Sequence, residues 1–135
     1  MYQEDTISAV TTPLGLGAVG IVRLSGPSSL ALAEQMFRPA SGKPFRSYAV
    51  RTMVYGTVVD ETGAPVDEVL CVYMKAPHSY TAEDVVEFQC HGGTQSLRRI
   101  LALTYRYGAR PAEPGEYTRR AFLNGRIDLV QAEAV

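Results

Sequence analysis

Short blocks of apolar and β-branched residues, separated by stretches rich in glycine, proline and polar residues, occupy most of the chain as far as Cys90. Blocks of this length and composition predict β-strands. Asp60–Pro65 has the residues of a turn, so the two blocks that flank it predict a hairpin. The predicted strands are Ile7–Thr11, Val19–Ser25, Val50–Val59, Val66–Lys75 and Val85–Cys90.

Helical periodicity marks other segments. Pro27 suits the first position of a helix, and apolar residues at helical spacing follow it, which predicts a helix from about Pro27 to Phe37. Residues 38–48 lack any period and predict a loop. An amphipathic pattern predicts a second helix over Thr94–Tyr107. Shorter helices are predicted over Pro114–Leu123 and over Leu129–Val135, where Asp128 is a candidate cap.

The predicted elements mix strands and helices without the regular alternation of a doubly wound sheet, and we find no internal repeat. A chain of 135 residues is long enough for one compact domain, but too short for that domain plus a nucleotide-hydrolysing one. The expected fold is therefore α+β, a mixed β-sheet with flanking helices.

Charge and cysteine content narrow the functional class. A net charge of -1 and a pI near 6.1 give no general attraction for nucleic acid, so any RNA contact would need a local basic patch. Cys71 and Cys90 lie in apolar, strand-like stretches with no metal or redox spacing, and we expect buried free thiols. No apolar run is long enough for a membrane span, and Glu4 and Asp5 do not suit a signal peptide. The expected location is cytoplasmic, without a membrane partner.

Two charged residues stand out in the predicted strands. Glu87 alternates with Val86 and Phe88, so it faces away from their apolar side. Arg23 interrupts the apolar Val19–Leu24, which is unfavourable unless its guanidinium is paired or reaches a cleft. From the pattern alone, Glu87 could equally be a solvated carboxylate, and Arg23 could extend its charged end to solvent.

Four segments, in order along nearly the whole chain, carry a family resemblance. They are Asp5–Ile7 together with Gly15–Gly26 (GLGAVGIVRLSG), Ser79–Gly93 (SYTAEDVVEFQCHGG), Pro114–Asn124 (PGEYTRRAFLN) and Gly125–Val135 (GRIDLVQAEAV). The combination resembles the MnmE (TrmE) family of bacterial tRNA-modification GTPases. The resemblance implies a fold like the folate-binding domain of the glycine-cleavage aminomethyltransferase. It also implies that residues 1–118 form an N-terminal folate-binding and dimerisation domain, and that 119–135 begin a helical domain.

The same resemblance implies the ligand and its contacts. Members of the family hold a tetrahydrofolate derivative, the 5-formyl or 5,10-methylene form, and Arg23, Glu87 and Arg126 match their folate-contacting positions. A pteridine ring presents an amino group and ring N–H donors on one edge, which a fixed carboxylate such as Glu87 can accept. Arginines can donate to the carbonyl, carboxylate or formyl oxygens of the ligand. By itself, Arg126 could also be an ordinary surface residue.

The resemblance further implies a role in modifying the wobble uridine of tRNA with a carboxymethylaminomethyl or aminomethyl group. The implied partners are a second copy of the chain, the FAD-dependent protein MnmG and tRNA. GTP, Mg²⁺ and K⁺ would bind a separate GTPase domain, since this chain contains no GxxxxGK[ST] motif. Two alternatives are a stand-alone folate-dependent protein resembling the aminomethyltransferase, and a dimerisation scaffold that does not bind folate.

The remaining polar motifs do not predict catalysis. No residue pair offers a nucleophile with its base or an acid–base couple, so no catalytic residue and no metal ligand is assigned. Gly15–Gly17 matches no phosphate-binding spacing and predicts a turn or a dimer-contact loop. Arg119 and Arg120 could contact tRNA phosphates or form ion pairs. We therefore expect this chain to bind its ligand without converting it.

Overall fold

The computed structural model describes residues 5–11 and 20–125. In this part of the chain, strands and helices follow one another irregularly, and a 3-10 turn lies at Phe45–Ser47. The elements are β1 (Ile7–Val10), β2 (Gly20–Ser25), α1 (Ser29–Met36), β3 (Phe37–Pro39), β4 (Val54–Val59), β5 (Pro65–Met74), β6 (Val85–Cys90), α2 (Gly93–Arg106), β7 (Arg110–Pro111) and α3 (Glu116–Leu123).

The described strands form one sheet in the order β3-β4-β5-β6-β2-β1-β7. Neighbouring strands are antiparallel, except that β1 and β7 run parallel. The centre of the sheet is therefore β5, β6 and β2, where β6 and β2 pair although some sixty residues separate them. This long-range pairing places Arg23 of β2 directly opposite Glu87 of β6.

The hydrophobic core lies between one face of the sheet and the helices α1 and α2. Val22 and Leu24 of β2, and Val86 and Phe88 of β6, are fully buried on this face. Alternation along a strand turns the intervening residues to the other face. The helices contribute a further set of buried apolar side chains: Leu32, Met36, Leu97 and Ile100. The second face is therefore the one that carries Arg23 and Glu87.

These elements confirm the α+β prediction and all five predicted strands, with shifts at their ends. The two cysteines are buried and free, as expected. The predicted helix end was wrong at Phe37, which has extended torsion angles (φ -121, ψ 131) and begins β3. Phe37 pairs with Val58 of β4, so the segment predicted as a loop starts as an edge strand. Backbone pairing with a strand distant in sequence overrides the local helical pattern here.

Some predictions fall outside the described residues. They concern the Gly15–Gly17 loop, Val19 at the start of the second predicted strand, Arg126 and the helix over 129–135. The implied boundary between residues 118 and 119 lies inside α3. The division into two domains stays a prediction. Among residues 5–11 and 20–125, no helix combines the length and apolar character needed to cross a membrane.

Gly56 is the residue on which the contact between β3 and β4 depends. A Cβ added there would lie 2.4 Å from the backbone oxygen of Arg38, an atom that cannot move without displacing β3. We expect Gly56→Ala to lower the free energy of unfolding by about 1–3 kcal/mol, the usual effect of overpacking, in urea denaturation. Gly20→Ala is the control, because its Cβ would meet the terminal methyl groups of the Leu97 side chain instead of a backbone atom. Equal losses in the two variants would contradict this account.

Candidate ligand-binding site

Arg23 and Glu87 form an ion pair on the second face of the sheet. The Nε of Arg23 donates to Oε2 of Glu87 at 2.7 Å, and its Nη2 lies 2.7 Å from the same oxygen. The side chains retain only 25% and 14% of their exposure. No partner for Oε1 of Glu87 is found in the part of the chain that the structure describes. The two residues that the resemblance assigns to one ligand therefore lie together, and they are paired with each other.

Tyr117 of α3 contacts Arg23 in two ways. Its phenol hydroxyl donates to the backbone oxygen of Arg23 at 2.7 Å. Its ring centroid lies 5.6 Å from the guanidinium carbon, within the range of a cation–π contact. Burial of the phenol raises the pKa of Tyr117. Sequence reasoning did not single out Tyr117, because nothing local shows that α3 packs against β2.

A cavity of about 740 Å³ opens beside this pair. Its volume falls in the range that small-molecule sites occupy, and its described lining includes Arg23 but not Glu87. The guanidinium of Arg23 therefore lies at the edge of the cavity and occupies one oxygen of Glu87. The lining residues are Ala9, Val10, Thr11, Arg23, Tyr80, Ala112, Glu113, Pro114, Gly115, Tyr117 and Thr118.

A buried arginine holds α3 in place. Arg120 has no exposed side-chain surface, and its Nη1 lies 3.1 Å from Glu83 Oε1. Its Nη2 lies 3.1 Å from both Glu116 Oε2 and Asp5 Oδ1. The backbone oxygen of Asp5 accepts a further bond at 2.6 Å. Since a buried charge is costly unless paired, these contacts fix α3 to the N-terminal segment and to the loop before β6.

Arg110 extends this cluster towards the surface. It donates to both carboxylate oxygens of Asp5 and to both of Glu116, at 2.7 to 3.1 Å. The hydrogen bonds from Arg110 lower the pKa of Asp5 to about 2. Arg110 and Arg120 together lower the pKa of Glu116 to about 2, against the opposing effect of burial. We call the five residues Asp5, Glu83, Arg110, Glu116 and Arg120 the Arg120 network.

Both of the adjacent arginines form ion pairs, one of the two roles expected for them. Arg120 is buried in the network, and Arg119 keeps 47% of its side-chain exposure while it pairs with Glu113 and Glu116. The spacing of Glu116 and Arg120, four residues apart on a helix, was the available signal. Within the described residues, no group of three or more potential metal ligands is found.

Comparison with known proteins places this chain in a family. Residues 6–126 match the family described as GTP-binding protein TrmE N-terminus. The chain belongs to this family. The TrmE N-terminal match includes Arg23, Glu87, Tyr117 and all of the Arg120 network except Asp5.

Curated proteins similar to this TrmE N-terminal chain include three named tRNA modification GTPase MnmE. The protein of Symbiobacterium thermophilum is 55% identical over 132 residues, which cover 98% of this chain and 29% of that protein. The protein of Geobacter sulfurreducens is 58% identical over 136 residues, covering 100% and 29%. That of Clostridioides difficile is 53% identical over 135 residues, also covering 100% and 29%. The chain thus spans less than a third of the length of these relatives.

The Arg120 network predicts very different roles for two adjacent arginines. Arg120→Met leaves the buried carboxylates of Glu83 and Glu116 without their central partner, so we expect the free energy of unfolding to fall by about 3–5 kcal/mol. Arg119→Met removes the same charge from a half-exposed position and should cost less than about 1 kcal/mol. Urea denaturation at neutral pH measures both. A similar loss in the two variants would show that Arg120 does not hold α3.

Because the pKa values of Asp5 and Glu116 are lowered, the stability that this network provides depends on pH in the acid range. A carboxylate whose pKa is lowered by folding stabilises the fold above its unfolded pKa, and that contribution is lost as the pH falls through the folded value. The free energy of unfolding should therefore decline between about pH 4.5 and pH 2. Glu116→Gln should make this decline shallower in denaturation curves recorded across that range. An unchanged slope would remove Glu116 from the explanation.

Proposed function

We propose that this chain is the tetrahydrofolate-binding N-terminal part of a tRNA modification GTPase, and that the folate binds at Arg23 and Glu87. The observation that carries the proposal is the pairing of these two side chains on the open face of the sheet, beside a cavity of about 740 Å³. Family membership supports the wider role, because the similar full-length proteins are named tRNA modification GTPases.

The carboxylate of Glu87 suits the pteridine ring of a reduced folate. The 2-amino group and the neighbouring ring N–H are donors that point in the same direction, and the two oxygens of a carboxylate can accept them side by side. Oε2 of Glu87 is occupied by Arg23, and Oε1 has no partner among the described residues. A bidentate contact with the ring would therefore require Arg23 to release Oε2.

The released guanidinium of Arg23 would find acceptors on the same ligand. A reduced folate carries a ring carbonyl, and the 5-formyl form adds a formyl oxygen. A partly exposed ion pair stabilises a protein by about 1 kcal/mol or less, whereas a hydrogen bond to a charged group contributes about 1.5–3 kcal/mol. Exchange of the internal pair for two sets of ligand contacts would thus replace the interaction that each side chain gives up, and the contacts in excess of the pair would have to offset the entropic cost of association. Arg126, which follows α3 outside the described residues, is proposed as a third contact.

The rest of the role depends on parts of the protein that this chain does not contain. We propose that the chain forms a homodimer, and that the folate supplies the one-carbon unit for carboxymethylaminomethyl or aminomethyl modification of the wobble uridine in tRNA. MnmG, with FAD, would be the partner protein, in the cytoplasm. GTP, Mg²⁺ and K⁺ would bind the GTPase domain. The described site has no nucleophile–base pair, so it would hold the folate for chemistry that needs those other components.

Calorimetry with 5-formyltetrahydrofolate tests the proposal directly. We expect the wild-type chain to bind the ligand. Glu87→Gln should weaken binding by roughly 10- to 100-fold, because one charge-assisted acceptor is replaced by a neutral amide that also presents donors to the ring. The measurement is the dissociation constant of each protein, with thermal denaturation to show that both are folded.

Glu68→Gln is the matched control for this experiment. Glu68 lies on β5, on the same face of the sheet as Glu87, and it is exposed. The substitution removes the same charge at a distance from Arg23, so binding should stay at the wild-type level. Absence of binding by the wild-type chain would favour a dimerisation scaffold, and one-carbon transfer by the chain alone would favour a stand-alone aminomethyltransferase-like enzyme. Either result would overturn the proposed function.

A further inference from the structure

Tyr117 is the aromatic residue that touches Arg23, and no part of the proposed folate chemistry assigns it a role. We propose that Tyr117 is a positioning residue, which holds the guanidinium of Arg23 in the orientation that pairs with Glu87 and serves the ligand. The effect on ligand binding rests on the proposed function. The contact between Tyr117 and Arg23 needs no ligand, so the effect of Tyr117 on Arg23 can be tested separately.

The geometry explains why Arg23 needs such support. An arginine side chain has several rotatable bonds, and fixing them costs rotamer entropy. Glu87 restrains the guanidinium from one side, at 2.7 Å, and the ring of Tyr117 restrains it from another, at 5.6 Å. When a ligand takes Glu87 from Arg23, Tyr117 is the remaining described contact of the guanidinium. The ring would then keep Arg23 beside the ligand.

The hydroxyl of Tyr117 acts on the strand itself. It donates to the backbone oxygen of Arg23 at 2.7 Å, which ties α3 to β2 at the residue whose side chain it also contacts. Tyr117 therefore restrains both the backbone and the guanidinium of Arg23. Loss of the hydroxyl alone should disturb one restraint, and loss of the whole ring should disturb both.

Tyr117 is itself held rigidly, which a positioning residue requires. It directly follows Glu116 and lies in the same helix as Arg120, and both of these side chains are fully buried in the Arg120 network. A shift of α3, which carries Tyr117, would break contacts between buried charges. The network thus fixes the backbone at Tyr117, and the bond from its hydroxyl to the backbone oxygen of Arg23 restrains the ring.

Tyr80 provides a matched control in the same cavity. Its hydroxyl lies 3.2 Å from Oγ1 of Thr118, and it lines the cavity together with Tyr117. Tyr80→Phe and Tyr117→Phe each remove one phenol hydroxyl from this wall. Of the two hydroxyls, that of Tyr117 bonds to Arg23.

The test compares Tyr117→Phe, Tyr117→Leu and Tyr80→Phe with the wild-type chain. The first readout is the NMR signal of the Arg23 Nε–H, identified by its disappearance in Arg23→Met, and its exchange with water. We expect a sharp, slowly exchanging signal in the wild type and in Tyr80→Phe, and faster exchange in Tyr117→Leu. A purely structural role for Tyr117 would lower thermal stability without selectively changing this signal.

The second readout is the dissociation constant for 5-formyltetrahydrofolate. Tyr117→Phe should raise it by roughly 3- to 5-fold, in line with one net hydrogen bond, and Tyr80→Phe should leave it unchanged. Tyr117→Leu should raise it by roughly 10-fold in the wild-type background and by much less in Arg23→Met, where there is no guanidinium to position. Equal effects in both backgrounds, or an unchanged Arg23 signal in Tyr117→Leu, would overturn the inference.

The two proposals fail in distinguishable ways. A wild-type chain that does not bind 5-formyltetrahydrofolate would overturn the proposed function, and the Arg23 signal would still decide whether Tyr117 restrains Arg23. The positioning role alone would be overturned if the wild type binds normally, Glu87→Gln loses binding, and no change at Tyr117 affects it. Tyr117→Phe keeps the ring and its packing, so the test does not depend on Tyr117→Leu being fully folded.

Discussion

Burial of the Arg120 guanidinium is the constraint on which the candidate site depends. A charge with no access to water must be met by opposite charge and by hydrogen-bond acceptors, and Arg120 finds both in segments that are far apart in sequence. Asp5 comes from the start of the chain, Glu83 from the loop before β6, and Glu116 from the same helix. Their requirement for one another determines where α3 lies on the sheet.

The position of α3 in turn determines the environment of the Arg23–Glu87 pair. With α3 in this position, Tyr117 contacts β2 at Arg23, and Thr118 and Tyr80 both line the cavity. The pair is then bounded by the sheet on one side and by the ring of Tyr117 on another. Buried ion pairs in the interior therefore support a less buried ion pair beside the cavity, and such a division would suit the proposed exchange of this contact for a ligand.

The sequence predicted those parts of this arrangement that depend on local pattern. Alternation of Val86, Glu87 and Phe88 predicted the face of the carboxylate, and the block of apolar residues around Arg23 predicted a strand. It could not predict that the two strands are neighbours in register, since sixty-four residues separate the partners. The sequence also could not show which of Arg119 and Arg120 is buried, because the buried face of a helix depends on what the helix packs against. The same limit explains Phe37, which a distant strand draws into the sheet.

The pairing of Arg23 with Glu87 also gives the carboxylate a partner in the absence of a ligand. A carboxylate at 14% exposure is costly to bury without a partner, and Arg23 supplies one at 2.7 Å. In the pair, each side chain orients the other. A ligand with adjacent donors and acceptors can replace both halves of the interaction at once. A ligand with donors alone would leave the guanidinium unpaired, so a site built on this pair would favour molecules that carry both.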